Sequence, residues 1–399
     1  MMRTNPSDPI LIRHLTPKNF LSFGPDNDGI DLRALNVFIG PNGSGKSNLI
    51  EAISFLRSAP KDMGEVTRKG GGVSEWIWKG AQDQRAELSA AFEGSVGQSS
   101  LPLVHEVAFG VAGGRFDLLE EKIHDLAEPG GMGCGYYSTA FSDGGPVVAR
   151  VTHEGEQEWE TAPAKAGQSI LSQLRDPVHF PEITWLADAY ERIRIYREWS
   201  FGRNTVFRTP QAADMRNGKL EEDCSNLGLF LSRLRKTPKV KATIVEHLKQ
   251  LYEGLTDFDV VAEGGAVQVF FTEGEFSIPA TRLSDGTLRY LCLVAILCDP
   301  EPPPLICIEE PELGLHPDIL PAVADLLKAA SRRTQIIVTT HSDILVDAMT
   351  DCPESVVVCE KHEGKTEMTR LASSELAVWL EKYRLGQLWI KGQLGGTRW

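Results

Sequence analysis

The sequence of 399 residues lacks the features that mark membrane and exported proteins. We find no apolar run long enough to cross a bilayer. The N-terminal residues MMRTNPSDPILIRHL do not contain the apolar core of a signal peptide. Internal repeats and long heptad tracts are missing too, which argues against an extended coiled-coil arm. These absences predict a cytoplasmic protein with no membrane contact.

Cysteine is scarce and its spacing is irregular. The seven cysteines are odd in number, and no two of them have Cys-x-x-Cys spacing. Cys292, Cys298 and Cys307 lie within apolar runs, so we expect them to be small core residues. This usage is typical of a reducing compartment.

An excess of positive charge is also lacking, because the formal net charge is −14. This value argues against a protein that coats itself with nucleic acid, although it leaves room for a local basic face. Hydrophobic residues make up 42% of the chain and charged residues 24%, which are the proportions of an ordinary globular protein. The length suffices for one large domain with insertions or for two lobes.

The sequence does contain a phosphate-binding loop. Residues 40–47 read GPNGSGKS and fill every fixed position of G-x-x-x-x-G-K-[ST], between the strand-like run 35–39 and the helix-like run 48–53. In this motif the backbone N–H groups surround a phosphate, the lysine reaches the β- and γ-phosphates, and the serine ligates Mg²⁺. The simpler alternative is a glycine turn between a strand and a helix. We predict ATP and Mg²⁺ here, with these ligands: Asn42, Gly43, Gly45, Lys46, Ser47 and Asn48.

A second motif supplies two adjacent carboxylates. The apolar run 305–308 predicts a buried strand, and Glu309 and Glu310 follow it directly. An ATPase needs one acid on the Mg²⁺ side and another that orients and deprotonates the attacking water. We therefore predict Glu309 as a metal ligand together with Ser47, and Glu310 as the catalytic base. A solvated strand end is the alternative.

Two further motifs lie in the second half of the chain. Residues 283–287 read LSDGT and lead into an apolar helix, so that Ser284 and Gly286 can present N–H groups to an anion. An Asp-Gly turn before a core helix is the alternative. Residues 339–342 read TTHS after an apolar strand, which places His341 at a strand end. A structural role is the usual one for a single histidine.

The ordered motifs GPNGSGKS, LSDGT, ICIEEPELGLHP and TTHS resemble those of the ABC-type ATPase heads of the SMC, RecF and OLD (overcoming-lysogenisation-defect) group. LSDGT resembles the signature motif, residues 311–317 resemble the D-loop of that group, and His341 resembles the switch histidine that contacts the γ-phosphate. Residues 19–23, reading NFLSF, fit the same group, and the resemblance covers about residues 10–110 and 225–360. More narrowly, the chain is similar to stand-alone AAA-type ATPases of bacterial defence and toxin-like systems.

Three departures from the family pattern are visible. Glu309 stands where most relatives carry aspartate, and the extra methylene shifts the carboxylate, which allows Mg²⁺ to be held through water. Asp285 replaces the first glycine of the signature. The glutamine that such ATPases carry between their lobes has no clear counterpart, and only Gln82 and Gln84 lie in a plausible region.

The predicted fold is an α/β P-loop NTPase of the ABC-ATPase head type. It has a mostly parallel sheet flanked by helices, an antiparallel β subdomain and an inserted segment. We predict an N-terminal ATPase lobe at 1–110, a partly helical insertion at 111–225 and a C-terminal ATPase lobe with a tail at 226–399. Within these segments, 129–170 reads as a surface insertion and 181–199 as a helix.

The resemblance implies a function and an assembly. In this family each nucleotide lies between the phosphate loop of one head and the signature of another. The chain is therefore expected to hydrolyse ATP as a head-to-tail homodimeric switch, in anti-phage defence or DNA maintenance. It would gate a separately encoded effector, of which a nuclease is one example. The alternative is a slowly hydrolysing sensor or scaffold that does not contact DNA.

Two basic stretches and the C-terminal tail are candidate partner surfaces. Aromatic and basic residues alternate over 192–208, and a second basic stretch covers 233–241. Contact with DNA is one interpretation, and pairing with the protein's own acids or with ATP is the other. The tail 385–399 is rich in glycine yet aromatic, which fits a partner contact or packing on its own head.

Overall fold

A six-stranded sheet lies at the centre of the molecule. The computed structural model describes residues 9–94, 102–126, 135–140, 148–151, 157–160, 165, 167–197, 199, 202, 205 and 208–396. The strands are β1 (Ile12–Lys18), β2 (Ile30–Asp31), β3 (Leu35–Ile39), β4 (Arg85–Phe92), β5 (Leu103–Ala112), β6 (Arg115–Asp125), β7 (Gly135–Ala140), β8 (Val148–Val151), β9 (Gln157–Glu160), β10 (Arg194–Tyr196), β11 (Gln211–Ala212), β12 (Leu255–Glu263), β13 (Ala266–Glu273), β14 (Phe276–Pro279), β15 (Leu305–Glu309), β16 (Gln335–Thr339), β17 (Val356–His362) and β18 (Lys365–Arg370). The helices are α1 (Lys46–Arg57), α2 (Met63–Lys69), α3 (Pro181–Arg192), α4 (Leu227–Leu234), α5 (Pro238–Leu251), α6 (Asp285–Leu297), α7 (Leu320–Ala330), α8 (Asp343–Asp347), α9 (Ser373–Leu380) and α10 (Leu385–Ile390).

The central sheet has the strand order β10-β15-β16-β3-β17-β18. Its pairs are parallel except β17–β18. Glu309 lies opposite Thr339 in the register, and Thr339 lies opposite Phe38. Because parallel strands end at the same edge of a sheet, the residues that follow β10, β15, β16 and β3 come together there.

Both faces of this sheet are buried, as expected for a parallel sheet. Alternate residues of β3 go to opposite sides, so Val37 packs in one hydrophobic cluster and Phe38 in another. The first cluster includes α6 and α7, and the second includes α1, α3 and the antiparallel sheet. Cys292 and Cys307 are buried as predicted, and Cys298 is partly buried.

A separate antiparallel sheet has the order β2-β1-β4-β5-β6-β7. Three rings join it to the helix that follows the phosphate loop. The ring of Phe55 on α1 lies 4.6 Å from that of Phe109 on β5 and 5.9 Å from that of Phe20, measured between centroids. Since such ring pairs add to the burial of apolar area, α1 is fixed between the two sheets.

The C-terminal half adds a smaller sheet of β11, β13, β12 and β14 against α4 and α5. The turn between β12 and β13 is the predicted hairpin, with Gly264 at φ 59° and Gly265 at φ 79°. Two successive residues of positive φ match the twist of the flanking strands, which is why glycine is required there. The predicted P-loop α/β fold with a mostly parallel sheet and an antiparallel β subdomain is therefore confirmed.

One predicted element is wrong. The helix expected over 181–199 ends at Arg192, and β10 follows it at Arg194–Tyr196. Residues 193–196 alternate Ile, Arg, Ile and Tyr, which is a strand pattern. Pairing with β15 stabilises this short strand, and Ile195 is buried. Of the proposed surface insertion over 129–170, the structure describes β7, β8, β9 and part of the segment after them, and the remainder lies outside the described residues.

The C-terminal tail packs on its own head as far as Gly396. Leu385, Leu388 and Trp389 of α10 are buried. The indole Nε1 of Trp389 donates to the carbonyl oxygen of Gly396 over 3.0 Å, and the N–H of Gly396 donates to Glu360 over 2.8 Å. In the described part of the chain, no helix is long and apolar enough to cross a membrane.

We expect Trp389→Ala to lower the free energy of unfolding by about 3 kcal/mol, because it removes a buried ring and leaves a cavity. The matched control is Ile390→Ala. Ile390 is the next residue and is 62% exposed, so this change should cost less than about 0.5 kcal/mol. Denaturant unfolding followed by circular dichroism measures both. Equal effects of the two changes would contradict the packing of the tail on the head.

Candidate nucleotide-binding site

The phosphate loop connects β3 to α1 in a strained backbone that only glycine tolerates. Gly40, Gly43 and Gly45 have φ values of 148°, 76° and 98°. A β-carbon at Gly40 would overlap the carbonyl oxygen of Cys359, and one at Gly45 would overlap the hydroxyl of Thr366. A β-carbon at Gly43 would meet nothing within 4 Å. The loop is therefore packed tightly on its protein side and open on the side where a phosphate would lie.

Lys46 holds its charge at the mouth of this loop. Its side chain is 5% exposed, and its ammonium group donates to the carbonyl oxygens of Gly40 and Pro41, both over 2.9 Å. Burial lowers the pKa of Lys46, while the nearby carboxylates of Glu310 and Glu312 oppose this shift. An ammonium group bound only to neutral carbonyls is well placed to bind an anion.

The metal side of the site is built from Ser47 and Glu309. Burial raises the pKa of Glu309, whereas the guanidinium of Arg197 lowers it. The Ser47 hydroxyl lies near enough to the Glu309 carboxylate to lower its pKa slightly. Arg197 Nε lies 3.7 Å from Glu309 Oε1, and Arg197 also pairs with Glu51 on α1. The two residues predicted to hold Mg²⁺ thus lie near each other, with an arginine beside Glu309.

Glu310 adopts a backbone conformation that is unusual for a residue other than glycine. Its φ of 46° lies in the left-handed region, which costs about 1–2 kcal/mol. Two neighbours hold this conformation: the Glu310 N–H donates to Thr339 O over 3.0 Å, and Arg289 Nη2 donates to Glu310 O over 2.6 Å. The carboxylate lies 3.5 Å from Nε2 of His341. Strained residues held in this way are common at active sites.

Arg289 itself comes from α6, the helix that follows the signature motif. Its side chain is 1% exposed, and burial lowers its pKa to about 10. Its guanidinium lies 4.5 Å from the ring centre of Trp199, whose indole Nε1 donates to Glu309 O over 3.3 Å. The signature helix is thereby linked to the backbone of both acids.

Glu312 joins the D-loop to the loop that carries the histidine. Its Oε1 accepts the N–H of His341 over 2.7 Å and the hydroxyl of Thr340 over 2.8 Å. Burial raises the pKa of Glu312. Two hydrogen bonds to one carboxylate oxygen fix the backbone that positions the imidazole.

The signature turn has a different set of contacts. Ser284 caps α6 by accepting the N–H of Thr287 over 3.1 Å. Asp285 accepts from Arg208 over 2.6 Å and from the N–H of Gly202 over 3.1 Å. A β-carbon on Gly286 would lie 2.7 Å from Gly314 O in the D-loop. The signature turn therefore contacts Gly202, Arg208 and Gly314 of the D-loop. The phosphate loop packs instead against Cys359 and Thr366.

Beside the first turn of α1 lies a cavity of about 560 Å³. Asn48 Nδ2 donates to Ser22 Oγ over 2.6 Å at its wall, which ties α1 to the NFLSF segment. Trp78 and Lys361 also line the cavity. An aromatic face next to a phosphate loop offers a place for a nucleotide base.

The structure thus brings most of the predicted residues to one edge of the central sheet. Lys46, Ser47, Glu309, Glu310 and His341 are linked there by direct contacts or by electrostatic interaction. Asn42 and Gly43 are exposed at the loop tip, and Ser284 and Gly286 lie with the D-loop. In the described chain, no cluster of three or more His, Cys, Asp or Glu suits a metal. Mg²⁺ at a nucleotide needs no such cage, because phosphate oxygens and water complete its shell.

Sequence reasoning missed Glu51 and Glu312 as neighbours of the site, and it included Arg197 only as a member of the basic stretch 192–208, with pairing to acids or to ATP as one interpretation. Glu312 was inside a recognised motif but had no assigned role. Arg197 follows β10, the strand that was mistaken for helix, and the alternation before it is the signal that would have placed it. Gln84, in contrast, directly precedes β4 of the antiparallel sheet, with its carbonyl oxygen near Gly110.

Comparison with known proteins places the chain in a family. The family model described as "AAA domain, putative AbiEii toxin, Type IV TA system" matches residues 35–131 and 149–347, more than half of the chain. The "Old nuclease" of Escherichia phage P2 is 21% identical over 365 residues, which are 84% of this chain and 57% of that protein. The chromosome partition protein Smc of Desulfitobacterium hafniense is 34% identical over 97 residues, 22% of this chain and 8% of that protein. The chain therefore spans less than two thirds of either relative.

Solved structures agree on the fold. An SmcHead bound to the C-winged helix domain of ScpA superposes with a TM-score of 0.56 at 17% identity, over 92% of this chain and 99% of that one. An Smc head domain from Pyrococcus furiosus, bound to the C-terminal domain of ScpA, gives a TM-score of 0.55 at 15% identity, over 93% and 99%. The chain belongs to the AAA domain family of that description, and it has the P-loop fold of an SMC- and OLD-like ABC-type ATPase head.

Proposed function

We propose that the protein binds and hydrolyses ATP and works as a homodimeric switch. The observation that carries this proposal is that the signature turn and the phosphate loop contact different residues, although Arg289 of the signature helix also binds the backbone of Glu310. The phosphate loop, the acid pair and the histidine share one edge of the central sheet. The signature turn packs against Gly314 and Arg208 instead. We interpret these two groups of residues as halves of nucleotide sites that a second copy of the chain completes.

The residues present fit ATP and Mg²⁺. The open side of Gly43, the ammonium of Lys46 and the start of α1 would receive the β- and γ-phosphates. Ser47 and Glu309, which lie near each other, would hold the metal. The metal would neutralise phosphate charge and orient the terminal phosphate. Glu309 is longer than the usual aspartate, and its position near Ser47 supports the same metal-side role.

Glu310 is proposed as the base that deprotonates the attacking water. Its carboxylate lies next to His341, whose imidazole would contact the γ-phosphate. The two hydrogen bonds to the Glu310 backbone keep the carboxylate in place. A fixed base within reach of water is what general-base catalysis requires.

The second half of each site is proposed to come from another copy of the chain. A head-to-tail dimer with two-fold symmetry would set Ser284 and Gly286 of each copy against the ATP of the other. The exposed side chain of Leu313 in the D-loop, 47% exposed, fits burial in such an interface. ATP would close the dimer and hydrolysis would loosen it.

We expect Glu310→Gln to slow hydrolysis by at least about a hundredfold while leaving ATP binding intact, because it removes only the base. With ATP and Mg²⁺ this variant should accumulate as a dimer, whose mass light scattering can measure. Lys46→Ala is the control that should remain monomeric, since it cannot hold the phosphates. A wild-type hydrolysis rate for Glu310→Gln would exclude Glu310 as the base.

The biological role is proposed to be anti-phage defence or DNA maintenance, with ATP gating a separately encoded effector. The family description and the phage P2 relative, itself described as a nuclease, support this proposal. A nuclease is therefore the effector that we favour. Purification from the native host should recover a stoichiometric second protein, and its absence would remove this part of the proposal.

A sensor without DNA contact is favoured by one observation. The described basic residues of the two stretches mostly pair with the head's own acids. These pairs are Arg197 with Glu51 and Glu309, Arg208 with Asp285, Arg233 with Asp299, Arg235 with Asp259, and Lys241 with Asp257. Phe201, Arg203 and Phe207 lie outside the described residues. Lys236 and Lys239 are exposed and remain candidates for phosphate contact.

Affinity for duplex DNA at rising salt separates the two functions. If the second basic stretch contacts phosphates, binding by the ATP-trapped dimer should weaken steeply with salt. The double change Lys236→Glu and Lys239→Glu should then lower affinity by about tenfold or more. Fluorescence anisotropy measures both effects. The sensor function predicts no steep salt dependence and no effect of the double change.

A further inference from the structure

Arg197 reaches the metal side of the site because of strand pairing. It is the residue directly after β10, whose last residue, Tyr196, lies opposite Ile308 in parallel register. The next position along the edge is therefore Arg197 beside Glu309. Because the carboxyl ends of parallel strands share one edge, β10 delivers this cation to the same place as the acids.

The contacts of Arg197 link three elements. Its guanidinium pairs with Glu51 of α1, and its Nε lies 3.7 Å from Glu309 Oε1 of β15. The side chains of the three residues are 25%, 29% and 19% exposed, respectively. Arg197 Nη2 is buried and makes no hydrogen bond to any residue that the structure describes. Nη1 of the guanidinium is thus bound to Glu51, while Nη2 has unused donor capacity next to the site.

Arg197 thus forms an ion pair with Glu309, the carboxylate that would bind Mg²⁺. A divalent cation on Glu309 would weaken the attraction between this carboxylate and the guanidinium, since the two cations repel each other. When the metal takes Glu309, the guanidinium keeps its pair with Glu51 through Nη1, and the other nitrogens become available to a second anion. Because Glu51 holds Nη1, the guanidinium can turn only a short distance. The nearest new anion would be the phosphate that the same metal binds.

We propose that Arg197 is a binding residue for the terminal phosphate of ATP, and that Glu309 holds it until a divalent cation takes the carboxylate. This inference rests on the proposed ATP site. It assigns to Arg197 a direct contact with the terminal phosphate, on the side of the site where the metal would bind. Arginine suits the task because its planar fork binds a carboxylate with one arm and a phosphate oxygen with another.

The first test compares ATP with ADP, because only ATP carries the terminal phosphate. We expect Arg197→Gln to weaken ATP binding by at least about tenfold and ADP binding by less than about threefold, measured by calorimetry with Mg²⁺. Wild-type protein that binds no ATP would refute the proposed function itself. Wild-type protein that binds ATP, with Arg197→Gln unchanged in its preference for ATP over ADP, would overturn only the role of Arg197.

Two controls separate binding from structural effects. Arg194 lies on the same strand and donates only to the carbonyl oxygens of Glu191 and Ile193 in the described chain, so Arg194→Gln should leave both affinities unchanged. Glu51→Gln breaks the ion pair but keeps the guanidinium, and we expect ATP affinity to change by less than about threefold. If Glu51→Gln lost the preference for ATP as fully as Arg197→Gln, the effect would come from the broken ion pair. That result would contradict a direct contact between Arg197 and the phosphate.

The second test addresses the hold by Glu309 and uses EDTA in place of Mg²⁺. Without metal, wild-type protein should prefer ATP over ADP only weakly, because Glu309 retains the arginine. Glu309→Gln releases it, so the preference for ATP in EDTA should rise by about fivefold or more, and the added change Arg197→Gln should abolish that rise. An unchanged ratio in Glu309→Gln would refute the hold by Glu309.

Discussion

Parallel pairing of four neighbouring strands is the constraint on which the site depends. β10, β15, β16 and β3 run in the same direction, so their carboxyl ends lie along one edge. Each strand then delivers one component: Arg197, the acid pair, the histidine loop and the phosphate loop. A slip of one residue in any pair would move each side chain of that strand from one hydrophobic cluster to the other, since both faces of the sheet are buried. The packing of the core therefore sets the positions of the catalytic groups.

The site contains charges that are costly to bury, and this cost explains its readiness for ligands. Burial lowers the pKa of Lys46 and raises the pKa of Glu309 and Glu312. In each case desolvation disfavours the charged form. A metal ion beside the carboxylates and phosphates beside Lys46 would offset this cost, because each has the opposite charge to its partner. Ligand binding should therefore also stabilise the folded head, since only the native state carries the assembled site.

Local motifs allowed most of the site to be predicted, because their chemistry lies within a few consecutive residues. Residues 40–47 define the phosphate loop by spacing alone, and an apolar run before two acids defines the end of β15. Arg197 could not be placed in this way. Its position depends on the pairing of β10 with β15, which lies far along the chain, and a three-residue strand is weakly encoded. Helix propensity in the preceding residues led to the wrong element there.

Tertiary contacts determine the remaining features. Glu312 acquires its role only when the backbone of His341 folds against it. The tail was open to two interpretations because a glycine-rich aromatic segment packs equally well on a partner or on its own head. The buried side chain of Trp389 shows that the tail packs on its own head. None of these outcomes is visible in the periodicity of the chain.

The central claim is that each nucleotide site is shared between two copies, and mixing two inactive variants tests it most directly. Lys46→Ala removes the phosphate loop's charge. Ser284→Asp keeps the cap of α6, because aspartate caps helices as well as serine does, but sets a carboxylate against the phosphate. Each variant alone should be inactive. An equal mixture should recover hydrolysis, at no more than about half of the wild-type rate, since a dimer of the two variants carries one intact site out of two. A mixture as inactive as its components, with dimers of both variants present, would contradict the shared site.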